Sequence, residues 1–118
     1  MIEVTAHTGE GFRVAAEYGE WKIGLLAYSE RFSRLTEMER HTETDEAFVL
    51  LSGNAVLCTE YQQLAMREGC VYNVPVGVWH HVVVSRDALV LVVENRRTSK
   101  ENTEKQYFDE KEIINAYR

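Results

Sequence analysis

Two imidazoles and two carboxylates are the residues of this chain most able to do chemistry together. Glu39, His41 and Glu46 sit close in sequence, and His80 follows far downstream. Imidazole nitrogen and carboxylate oxygen, at about 2.0–2.2 Å from an ion, form a donor set for Zn, Mn, Fe or Ni. Alternate side chains of a strand share a face. A strand over Leu35–His41 therefore sets Glu39 and His41 on one side and Met38 and Arg40 on the other. Glu46 is expected to open the next strand, antiparallel beside it. His80 stands just past the Pro75-Val76-Gly77 turn, at the start of a third. A barrel closed over these strands aims all four at one point in its mouth, and one divalent transition metal ion is the expected cofactor. His81 faces the other side of its strand and reads as structural. His7 has no ligand frame around it.

The elements that must hold these residues are short and apolar. Residues 12–16, 21–28, 47–51, 55–59, 70–74, 81–84 and 88–94 read as strands, rich in Val, Ile, Leu, Phe and Tyr. Ser52-Gly53-Asn54 is a tight-turn signal between two of them. Many short strands at close spacing predict an all-β sandwich or barrel. After Glu94 the chain turns polar. Asp109 then reads as the N-cap of a short C-terminal helix, with Ile113, Ile114 and Tyr117 as its apolar stripe.

A length of 118 residues fits one domain with a core that needs no disulfide, and 45% hydrophobic with 27% charged residues is ordinary for a globular chain. A net charge of -6, with Arg96-Arg97 and Lys100 as the only dense basic spot, argues against nucleic acid. Cys58 and Cys70 lack metal-site spacing and read as buried thiols in a reducing compartment. The start Met1-Ile2-Glu3-Val4-Thr5 has no basic-then-apolar pattern, and no segment is long enough to span a membrane. A cytoplasmic location is the expectation.

These features resemble the cupin superfamily. The second cupin motif (Gly, five residues, Pro, one residue, Gly, two residues, His) is matched at Gly69, Pro75, Gly77 and His80. The first motif is matched at His41, Glu46 and Gly53, with Glu39 where its first histidine is expected. Val84 stands where the second motif often carries Asn, and the linker at residues 54–68 is near the family's short limit. The resemblance implies a double-stranded β-helix, the cupin jelly-roll barrel, as a single domain over residues 1–118. The barrel would occupy roughly 10–95, with a polar tail and helix over 96–118. Glu39 would add a second carboxylate to the ligand set. Turned away, it leaves His41, Glu46 and His80, similar to the two-His-one-carboxylate triad of non-haem iron enzymes.

Tyr28, Phe48, Met66, Tyr72 and Trp79 are candidates to line the pocket, with Arg34 and Glu37 as polar contacts at its mouth. The resemblance implies a metal-dependent enzyme acting on a small sugar-like or keto/enol substrate, by isomerase, dioxygenase or lyase chemistry. The other reading is a non-catalytic module that binds or senses a sugar or carboxylate. The family habit of covering sheet edges implies a homodimer.

Overall fold

Strict alternation of burial marks the strand Leu89–Asn95, which turns Val90, Val92 and Glu94 inward and leaves the residues between half-buried. In this computed structural model, which describes residues 1–114, the same rule builds ten strands. They are β1 (Gly11–Tyr18), β2 (Trp21–Ala27), β3 (Leu35–His41), β4 (Glu46–Ser52) and β5 (Ala55–Thr59), followed by β6 (Gln63–Ala65), β7 (Val71–Val74), β8 (His80–Val84), β9 (Leu89–Asn95) and β10 (Thr103–Lys111). Two antiparallel five-stranded sheets result, one in the order β1-β2-β9-β4-β7 and the other β10-β3-β8-β5-β6.

The main core lies between the sheets. Leu26, Phe48, Leu50, Val90 and Val92 come from the first, and Leu57, Val82 and Val84 from the second. Each such side chain contributes roughly 1.5–3 kcal/mol by leaving water. Strands β5 and β8 are buried on both faces. Their outer side carries a second cluster, Leu35, Met38, Val56, Cys58 and Val83, packed under Trp79, Phe108 and Ile113.

Three expectations need correction. Strands β3 and β4 are not neighbours: β3 pairs with β10 and β8, while β4 pairs with β9 and β7. Their short connection crosses from one sheet to the other. The barrel is not closed either, because each sheet keeps two edge strands and no described strand pairs across the gap. The C-terminal helix is replaced by β10 over residues 103–111, and helical geometry among the described residues is limited to 3-10 turns at Glu30–Phe32 and Lys100–Asn102. A lone helix of that length is marginal in water. Pairing with β3, from Thr103 opposite His41 to Tyr107 opposite Glu37, satisfies the backbone instead. Ile113 still covers the outer cluster, Ile114 is exposed, and Tyr117 lies outside the described residues.

Gly53 makes the turn from β4 into β5 at φ +73°. A Cβ there would stand 2.5 Å from the Ala88 Cα, so glycine is required by both torsion and space.

Candidate metal centre

Glu39, His41, Glu46 and His80 each offer one donor atom, and the four atoms lie within 4.8 Å of one another. Glu39 and His41 come from β3, and His80 from β8, where its Cα is the register partner of Glu39. Glu46 reaches across from the other sheet. The two sheets are tied together just here. Asp45 accepts from the Val76 amide at 2.9 Å and the Asn73 side chain at 3.1 Å, and the Gly77 amide donates to the His41 carbonyl at 2.9 Å. Those bonds hold the turn that delivers His80.

The imidazoles are oriented from behind. His80 Nδ1 donates to the Val78 carbonyl at 2.9 Å, and His41 Nδ1 meets the Thr103 hydroxyl at 2.9 Å. Both Nε2 atoms then face Glu46 Oε1, at 3.1 Å from His41 and 2.9 Å from His80. Such bracing is how metal-binding histidines are aimed. Glu39 Oε1 stands 3.9 Å from His41 Nε2, and its Oε2 is held by Arg31 at 3.2 Å. Buried nitrogen and carboxylate donors converging this way fit a divalent transition metal ion.

Burial opposes ionisation of Glu46, but hydrogen bonds from His41 and His80 outweigh it and hold the carboxyl well below its usual range. Burial likewise works against the two imidazolium ions. Hydrogen bonding and attraction to Glu46 prevail, and both histidines are raised above 6.5. Glu94, the register partner of Glu46 on β9, is pushed up to about 8 by burial and by its bond to Glu46, so it is protonated at neutral pH. His81 goes the other way. Burial lowers it, and it bonds the Arg31 carbonyl at 3.0 Å and stacks on Phe32.

The four donors open onto a cavity of about 390 Å³. Phe48 lines it. Tyr28, Met66 and Tyr72 instead belong to or pack on the core between the sheets, and Trp79 sits on the outer cluster under Arg40. Arg34 pairs with Glu30 in solvent, Glu37 anchors Arg31 at 3.1 Å, and His7 bonds the Gly11 carbonyl. Sequence reasoning passed over Glu94, Lys22 and Thr103. Strand parity carried a signal for two of them: Glu94 shares a face with Val90 and Val92, and Lys22 with Gly24 and Leu26. Thr103 was hidden by reading the tail as polar coil and helix.

No curated protein matches the chain by sequence. Among solved structures, a cupin-2 domain protein from Shewanella frigidimarina is 22% identical, covering 77% of this chain and 85% of its own, at a TM-score of 0.64. Pac13 from Streptomyces, solved with uridine, is 10% identical over 98% of this chain and 93% of its own, at 0.70; it is described as a nucleoside dehydratase. KdgF from Halomonas is 15% identical over 74% and 80%, at 0.61. At these identities the likeness is one of fold. The cupin domain family model itself matches residues 33–94, a span that contains all four donors, and the chain belongs to that family.

Proposed function

We propose that this cupin is a metal-dependent enzyme acting on a small sugar-like or keto/enol compound, with one divalent ion held by His41, Glu46, His80 and Glu39. The observation that carries the reading is the convergence of those donors from two sheets onto one cavity. An ion bound there would supply Lewis acidity, polarising a carbonyl or enediol oxygen. The chain's own groups would do the rest. Arg31 holds one oxygen of Glu39, leaving the other free to complete the ligand set or to move a proton beside the substrate. Phe48, Leu26 and Val92 form an apolar wall of the cavity, against which the uncharged part of a substrate would pack.

A binding or sensing module without turnover is the second reading, favoured by the same cavity if Glu39 only ligates. Both cysteines are free thiols, Cys58 buried as expected and Cys70 exposed against expectation, which supports a reducing compartment, and we place the protein in the cytoplasm. No described helix is long and apolar enough to cross a membrane. Elemental analysis of protein purified without added metal should find close to one equivalent of a transition metal, and His80→Ala should lose it. Metal content that is negligible in the wild type, or unchanged in the variant, would overturn the metal centre. Turnover across sugars and keto acids, with and without Fe or Mn, separates enzyme from sensor.

A further inference from the structure

Four cationic side chains line the same cavity, Lys22, Arg31, Lys100 and Lys105, against three glutamates, Glu39, Glu46 and Glu94. Arg31 is already engaged by Glu37 and Glu39. Lys22 is largely buried in the wall. It donates to the Thr98 carbonyl at 3.2 Å and stands 3.5 Å from Glu94. Among the described residues, neither Lys100 nor Lys105 forms an ion pair.

Register fixes where these charges stand. On β10, Lys105 lies opposite Glu39, and Thr103 lies opposite the His41 it braces. Lys100 belongs to the turn immediately before that strand. Lys22 is on the other sheet, opposite Glu94. The cations therefore flank the metal donors from both sheets. A dication added to a lining already in cationic excess makes the cavity strongly positive, and a walled cleft focuses such a field. Thr98 is a further sign. The residue lines the cavity, and its buried Oγ1 has no protein hydrogen-bond partner. A buried hydroxyl left unpaired carries an uncompensated desolvation cost that an acceptor on a ligand would relieve.

Resting on the metal centre proposed above, we propose that its substrate is a small organic anion whose carboxylate or phosphate seats among Lys22, Lys105 and Lys100, with the Thr98 hydroxyl as a further contact. The uncharged part of the molecule packs on Phe12, Leu26, Phe48 and Val92. The cavity volume suits a compound of monosaccharide size.

The test uses the full chain loaded with Mn2+ and three hexoses that differ only at C6: glucose, glucuronate and glucose 6-phosphate. Binding is read by ligand-observed NMR, and Mn2+ stoichiometry by water-proton relaxation. At least one anionic hexose should bind about tenfold tighter than glucose at low salt, and added salt should weaken that preference. Whichever anion binds tighter identifies the group as carboxylate or phosphate. Lys100 and Lys105 are exposed, so the double variant K100Q/K105Q should fold and keep its Mn2+ while losing most of the preference. Mn2+ bound with no preference for either anion, or a preference untouched in the double variant, overturns the anion subsite alone. Failure to take up Mn2+ overturns the metal centre, and the anion preference is still scored on the same protein.

Discussion

At His80 both ring nitrogens face acceptors, the Val78 carbonyl at Nδ1 and Glu46 Oε1 at Nε2. Two acceptors favour two N–H groups, which is why the pKa of the metal-free ring is raised above 6.5. His41 is raised for the same reason, its Nε2 sharing the same carboxylate oxygen. A metal ion needs both Nε2 lone pairs and must displace those protons. Stability that the metal-free fold gains from these rings is full below 6.5 and fades as pH rises through the raised values. Metal affinity runs the opposite way. It should fall by about tenfold per pH unit for each displaced proton once pH drops below the folded pKa values, with proton release visible in buffers of different ionisation enthalpy. Affinity that stays flat from neutral to mildly acidic pH would mean that neither imidazole binds the ion.

At the scale of elements, the turn between β4 and β5 decides whether Glu46 and the second sheet stay in register. Gly53→Ala combines a positive φ with a Cβ driven into the Ala88 backbone, whereas Gly69→Ala, at φ +83°, meets nothing within 4 Å. The Gly69 variant should lose about 1 kcal/mol from backbone strain alone, and the Gly53 variant at least twice that, as measured by urea unfolding. Equal losses would show that the approach to Ala88 is not tight. This turn was legible in Ser52-Gly53-Asn54, and the buried strands were legible because their apolar residues are contiguous or alternate. The donors were legible for another reason: His41 and Glu46 stand at fixed offsets before Gly53, and His80 at a fixed offset after Pro75 and Gly77, in the spacing of the two cupin motifs. Sheet partnership was not. Nothing local in residues 42–45 reveals that the chain crosses between sheets there, and β4 found its neighbours on β7 and β9 instead of β3. The described part of the expected helix, from Asp109 to Ile114, failed differently. Asp109 and the following acids are as compatible with an exposed edge strand as with a helix, and only pairing with β3 distinguishes them.

The whole molecule measures 45 × 30 × 24 Å, and the β1–β2 hairpin lies at one margin of its first sheet. The Phe12 ring fills the space that a Cβ on Gly24 would need, so this residue faces the gap between the sheets and reaches the cavity. Even so, Phe12 and Val14 remain about two-fifths exposed, and Ile2 and Val4 in the preceding segment are almost wholly so. That segment is tied back along β1 by the Thr5 hydroxyl, which donates to the Ala15 carbonyl. An eight-residue edge strand with open apolar neighbours is a template for another chain. The bulge between Val14 and Ala16 limits how far simple strand addition can extend along it. A second copy related by a two-fold axis would cover both the edge and the apolar residues at once, since one self-complementary patch serves both partners. Light scattering on the purified chain should therefore give a mass of twice 13.6 kDa. Val14→Asp should halve it while leaving metal content unchanged, because Val14 is not among the residues lining the cavity. A wild-type mass near that of one chain would show that the β1 margin is solvated and that the cavity beside Phe12 is complete in the monomer.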